Sequence, residues 1–252
     1  MRRLIFAALL AASPALATDE EVEAIVLSNA ENTLWHEAAH LLVTELELPV
    51  VGQEEDAADG FATLMMMEDE SEDRVESLLD VAELWIVSHE RDEAEGLEPA
   101  YYGEHDLDAQ RGLRVICFLA GESPDRAGAL LDAWGVPGDR AESCEFDFAL
   151  ALDSWDALLD PHLRGGAPGQ SITIHYGTGG RWESLLRETE MLEYVAETLD
   201  ARFVLPEGLV IEAISCDEPT AFWDPEERRA VLCYELMDDF ALLAGIALET
   251  RE

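Results

Sequence analysis

Residues 34–40 read Leu-Trp-His-Glu-Ala-Ala-His. On a helix, His36 and His40 stand one turn apart on a single face, with Glu37 beside them. Imidazole nitrogens at that spacing suit a zinc ion at about 2.0–2.1 Å, and the adjacent carboxylate is placed to take a proton from a water on that ion. The H-E-x-x-H pattern therefore names a metal and a reaction, hydrolysis of a peptide bond. Taken alone it also fits an exposed helix that happens to carry two His residues, so its context has to decide.

That context follows soon after His40. Glu54-Glu55-Asp56-Ala57-Ala58-Asp59 opens a second helical run that continues to Met65-Met66-Met67. Glu55 and Asp59 share a face of it. A Glu from a second helix closes a three-ligand zinc site, and an acid one turn later can orient a ligand His. We expect Glu55 in the first role and Asp59 in the second. Glu54 and Asp56 compete for the ligand position, but Ala58 and Gly60 stand four residues on, where an orienting acid is needed. An acidic first turn also favours the helix dipole, whatever it binds.

Peptide hydrolysis further requires a donor for the oxyanion. His105, in Tyr101-Tyr102-Gly103-Glu104-His105-Asp106, is the first candidate, because flanking carboxylates favour its protonated, donating form. A capping loop in which His105 bonds only to its neighbours fits equally well. Tyr102 and Tyr234 are weaker candidates, since buried tyrosines usually serve the core. His89, His162 and His175 lack carboxylate or His partners at metal spacing and read as surface or core residues. Arg111 reads as a buried ion-pair partner, and the Met65-Met66-Met67 run as helix packing.

Positioning these groups requires particular elements. Val22, Ile25, Val26, Leu34, Leu41 and Leu42 recur at helical spacing, so the helix carrying His36 spans 21–43. Amphipathic helices are predicted over 72–88, 107–120, 124–134 and 140–159, and a Gly/Pro-rich hinge over 163–170. A short strand follows over 171–176, then a helix over 182–199. Strands over 204–215 and 229–236 are joined by a loop over 217–227 as a hairpin. The segment 240–248 is a short helix or strand. The first helix begins too early for an upstream strand to exist, so 229–236 is expected to be the sheet edge that an extended peptide joins. The fold class is α+β, helix-rich, with the C-terminal strand hairpin completing the sheet.

Met1-Arg2-Arg3, the apolar run over 4–10 and Ala15-Leu16-Ala17 read as a secretory signal over 1–17. The domain then occupies 18–252, with possible sub-lobes at 18–163 and 171–252. Hydrophobic content of 48% argues against disorder, and no later apolar run is long enough to insert in a membrane. The formal net charge is −41 and Lys is absent. Such a chain repels nucleic acid and anionic lipid and attracts cations and basic peptides, or simply stays soluble. Four Cys in an exported chain suggest two disulfides, with Cys117–Cys144 and Cys216–Cys233 favoured by their order. Free buried thiols remain an alternative, and without a C-x-x-C spacing a cysteine zinc site is disfavoured.

Four segments in order, LWHEAAH, LPVVGQEEDAAD, EHDLDAQRGLRVICFLAG and PTAFWDPEERRAVLCYEL, resemble a bacterial family of metallopeptidases related to the glutamate-type zincins. The likeness covers nearly the whole mature chain. It implies zinc ligands at His36, His40 and Glu55, a catalytic Glu37, and structural or site roles for His105, Gln110, Arg111, Cys117 and Cys233. Gly112-Leu113-Arg114 departs from the pattern, which has an aromatic and a polar residue after the Gln-Arg pair. The expectation is a periplasmic or extracellular zinc peptidase acting on peptides or proteins. The alternative is a zinc-retaining, non-enzymatic acidic module of the envelope that recruits a basic partner; an intact Glu37 argues against it, because a binding module needs no general base.

Overall fold

Thr18 caps the first helix: its hydroxyl accepts from the Glu21 amide and the Glu21 carboxylate accepts from the Thr18 amide. This computed structural model describes residues 18–68 and 71–251; the expected signal over 1–17 lies outside them. Helix α1 (Asp19–Glu45) is buried on all sides over its middle, with Leu34, Trp35, Ala38, Ala39, Leu41 and Leu42 at 0–1% exposure. Apolar residues on more than one face place a helix at the centre of a fold, and Ser28, Asn29, Asn32, His36 and Glu37 are the polar residues of α1 buried with them. Around it pack α2 (Glu54–Met67), α3 (Glu72–Glu95), α8 (Met191–Arg202) and α9 (Tyr234–Thr250). Helices α4 (Asp108–Glu122), α5 (Pro124–Ala133) and α6 (Ala141–Leu159) form a second layer against α2 and α3. Helix α7 (Gly180–Glu188) precedes α8.

Four strands make one mixed sheet in the order β1 (Ile172–Tyr176), β2 (Leu209–Ile214), β4 (Arg229–Cys233), β3 (Ala221–Asp224). β1 pairs β2 in parallel, β2 pairs β4 in parallel, and β3 pairs β4 antiparallel. Helix-rich α+β architecture is thus as expected, but the sheet corrects two sequence expectations. The hairpin is β3–β4 rather than β2–β4, because the segment read as a loop contains a strand. Its tight turn is closed by the Asp224 carboxylate, which accepts from the Glu226 and Glu227 amides. The expected edge, 229–236, is interior: β4 lies between β2 and β3, and from Tyr234 onward the segment is helical. The sheet's free edges are β1 and β3, and of these β3 packs against α1.

Smaller departures have local causes. The helix expected over 182–199 breaks at Thr189–Glu190, where Glu190 takes φ 52° and no Gly or Pro announces the turn. The segment 240–248 lies within α9. Helix α3 runs on to Glu95 and stops at Gly96 in the left-handed conformation, φ 75°. Both disulfides form as expected, Cys117–Cys144 between α4 and α6 and Cys216–Cys233 between the ends of β2 and β4. The second bond spans neighbouring strand ends because those strands are parallel. Helices α4 and α6 approach so closely at the first that a Cβ on Gly121 would lie 2.4 Å from the Cys144 carbonyl oxygen.

Candidate metal centre

Two helices and one loop assemble the centre. Buried apolar residues of α1 around them, Leu34, Trp35, Ala38, Ala39, Leu41 and Leu42, sink its middle into the core, leaving His36 and Glu37 only 7% and 6% exposed. Helix α2 lies against α1 and turns Glu55 and Asp59 toward it. The segment between α3 and α4 brings in His105, and the Gln53 side-chain amide ties it down by donating to the Glu104 carbonyl at 3.1 Å.

Three ligand-type atoms converge. His36 Nε2 lies 3.1 Å from His40 Nε2 and 3.0 Å from Glu55 Oε2, and His40 Nε2 lies 3.2 Å from that same oxygen. Bonds of about 2.0–2.1 Å at a tetrahedral ion would hold such atoms roughly 3.3 Å apart. The donor set therefore fits a small divalent metal. The outward nitrogens are also engaged: His36 Nδ1–H donates to Asp59 at 2.8 Å and His40 Nδ1–H to Glu54 at 2.8 Å. Those bonds aim both Nε2 atoms inward.

Glu54, from sequence a rival ligand, instead stands behind His40. Nothing local distinguishes a carboxylate that binds an ion from one that orients a ligand, because the packing angle between α1 and α2 makes the difference. Asp59 is in turn clamped by Arg111, whose Nε and Nη2 donate to its two oxygens at 2.7 Å each while the guanidinium lies 3.8 Å from the Trp85 ring centre. The expected ion pair of Arg111 thus has its partner. Gly112 and Arg114 also have places. A Cβ on Gly112 would lie 2.7 Å from the Ala82 carbonyl oxygen, so glycine permits the contact of α3 with α4. Arg114 bonds Asp106 and pairs with Asp56 at 3.3 Å. Gln110 accepts from the Leu107 amide and caps α4.

His105 reaches the cluster, its Nε2 2.8 Å from Glu55 Oε2 and its ring nearly parallel to that of His36 at 6.0 Å. Of the other donors weighed, Tyr234 Oη donates to the Gly177 carbonyl and Tyr102 is 93% exposed. The Met run packs as expected, with Met66 fully buried. His175 is a surface residue, within the reading made from sequence, and pairs at 3.0 Å with the buried Glu212 of the neighbouring strand.

The electrostatics follow from burial and pairing. Burial raises the pKa of Glu37, with His36 and His40 opposing it; its carboxylate makes no side-chain hydrogen bond to a described residue. Glu55 is held far below the usual carboxylate range by hydrogen bonds from His105, His36 and His40. Burial works against ionised Asp59, yet Arg111 and His36 keep its pKa low. For His36, burial disfavours the cation, but Asp59 and Glu55 outweigh it and raise its pKa from 6.5 to about 9. A raised folded-state value contributes stability below the unfolded value and loses it as pH rises through the folded one. The metal-free protein should therefore melt at progressively lower temperature between pH 6.5 and about 9 when scanned in chelator. A melting temperature that is flat or rising over that interval would contradict the ion-paired state of His36.

A family model, DUF4344, whose description reads "Putative metallopeptidase", matches residues 6–159 and 178–250. No curated protein and no solved structure matches the chain significantly.

Proposed function

The chain belongs to that metallopeptidase family, and on this premise we propose that it is an exported zinc-dependent peptidase with His36, His40 and Glu55 as metal ligands and Glu37 as general base. The observation that carries the proposal is the convergence of two Nε2 atoms and one carboxylate oxygen at 3.0–3.2 Å, each imidazole backed by its own carboxylate. When bound, zinc supplies Lewis-acid polarisation of the scissile carbonyl and acidifies the attacking water.

The residues of the chain do the rest. Glu37, buried and without a side-chain hydrogen bond to a described residue, accepts the proton of the attacking water and delivers it to the leaving amine. Its raised pKa makes it a better acceptor for that proton, and the carboxylic acid so formed is still acidic enough to pass it to the amine. His105, about half exposed on its loop, donates Nε2–H to the oxygen that becomes negative as the carbonyl is attacked. Asp59 and Glu54 hold the two imidazoles in orientation, and Arg111 holds Asp59. An extended peptide has the free edge of β3, rather than β4, to pair with. The disulfides, and the absence among the described residues of a helix long and apolar enough to cross a membrane, are compatible with export.

Elemental analysis of the purified mature protein tests the centre and should find about one zinc per chain. His36→Ala, His40→Ala and Glu55→Ala should each lose it. Glu54→Ala should keep stoichiometric zinc at saturation while binding about 10–100-fold more weakly. Full occupancy in Glu55→Ala with loss in Glu54→Ala would exchange their roles. A zinc-loaded wild type that cleaves nothing in a mixed peptide library rich in Arg and Lys would transfer the assignment to a non-enzymatic binding module.

A further inference from the structure

The segment 98–106 between α3 and α4 carries His105 and has few ties to the rest of the protein. Tyr101 and Tyr102 are 80% and 93% exposed, and the backbone bonds of this stretch are internal turns, from the Tyr101 amide to the Pro99 carbonyl and from the Gly103 amide to the Ala100 carbonyl. Among the described residues, the hydrogen bonds and ion pairs that join it to other elements fall on three consecutive residues. The Glu104 carbonyl accepts from the Gln53 amide, His105 Nε2 lies against Glu55, and the Asp106 carboxylate accepts from Arg114. All three ties lead to the start of α2. Gln53 is the residue at its N-terminal cap and Glu55 lies in its first turn. Arg114 reaches the same turn by pairing with the Asp56 carboxylate at 3.3 Å and donating to the Asp56 carbonyl at 3.4 Å.

Helix α4 supplies two arginines to α2, and they serve opposite sides of the centre. Arg111 and Arg114 share one face of α4, as Asp59 and Asp56 share one face of α2. Arg111 holds Asp59, which orients His36. Arg114 holds Asp56 and, with the other arm of its planar fork, Asp106, the neighbour of His105 in the chain. Joining α4 to α2 takes only the Asp56 half of these bonds; the Asp106 half acts on the segment that carries His105. The flanking ties matter because the central one is temporary. To donate to a carbonyl oxygen under attack, His105 Nε2–H has to leave Glu55, and during that exchange the ring is placed by its two neighbours in the chain. A donor in this role must meet the developing charge closely, since a misplacement of about 1 Å can cost on the order of 10²-fold in rate.

We propose that Gln53 and Arg114 are positioning residues for His105, holding Glu104 and Asp106 on either side of it so that its Nε2–H can pass from Glu55 to the substrate oxygen. The proposal rests on the peptidase reading for the role given to His105, and one of its two tests needs no turnover. In steady-state kinetics Gln53→Ala and Arg114→Met should each lower kcat about 10- to 100-fold, with KM and zinc content little changed. His105→Ala should lower it about 10²–10³-fold. The double variants decide between positioning and plain structure. Residues that act only through His105 cost nothing further once His105→Ala is in place, whereas a structural role costs the same in either background. Gln53 is exposed and its side chain makes one bond, so Gln53→Ala carries the test if Arg114→Met fails to fold.

Methylphosphonate, a tetrahedral anion with one oxygen for the metal and another for His105, supplies the readout without turnover. Titration calorimetry on zinc-loaded protein should show its affinity falling at least about 10-fold in His105→Ala, Gln53→Ala and Arg114→Met alike, with no further loss in the double variants. Additive losses in the double variants, an affinity that neither Gln53→Ala nor Arg114→Met changes, or no binding by wild type would each overturn the positioning role. If wild type cleaves peptides and both single variants keep its kcat, the peptidase stands and the positioning falls. If wild type cleaves nothing but methylphosphonate binding depends on all three residues without additivity, the positioning stands and the peptidase falls.

Discussion

Replacing Glu37 by Gln should lower peptide cleavage by about 10²–10⁴-fold while leaving zinc content and thermal stability essentially unchanged. Glu37 is 6% exposed, and its carboxylate has no side-chain hydrogen bond to a described residue to lose. An isosteric amide therefore breaks no contact, and it removes a charge whose burial is unfavourable. Gln cannot accept the proton of the attacking water, so the loss should lie in kcat rather than in KM. Steady-state kinetics on any peptide the wild type cleaves, with metal analysis of the same sample, decide the matter. A Glu37→Gln variant as fast as wild type would end the hydrolytic mechanism, and one that loses its zinc would make Glu37 a structural residue instead.

Arg111→Met should cost stability and metal affinity together. The Arg111 and Asp59 side chains are 11% and 13% exposed and joined by two 2.7 Å bonds. Removing the cation leaves a buried carboxylate with His36 as its remaining partner, and breaking a buried pair in this way costs about 3–5 kcal/mol. For a domain of this size that lowers Tm by roughly 10 °C. With Asp59 no longer anchored, His36 loses its fixed orientation, and zinc affinity should fall about 10–100-fold. Arg111→Lys should recover only part of both effects, because a single ammonium cannot form the two parallel bonds. Calorimetric unfolding with and without zinc, and competition with a chelator of known affinity, measure the two losses. If Arg111→Met matches wild type in both, the clamp on Asp59 does not support the centre.

What the sequence determined by itself was local. The i, i+4 spacing of His36 and His40 follows from helical geometry alone, and so does the common face of Glu55 and Asp59; the structure brings all four together. The helical periodicities of α1 to α6 are likewise properties of single segments, and they survive with end shifts. What only the tertiary structure decided were pairings between distant segments. β4 became an interior strand parallel to β2 because a short strand in the 217–227 segment satisfied its other edge, and backbone pairing carries no side-chain signature that ranks one partner over another. Glu54 went to His40 Nδ1, and Arg111 to Asp59, because the relative setting of α1, α2 and α4 brings those atoms within bonding distance. A cavity of about 840 Å³ bordered by α2, α4 and α6 belongs to the same class, since it is the space left where three helices fail to close, and no single one of them encodes it.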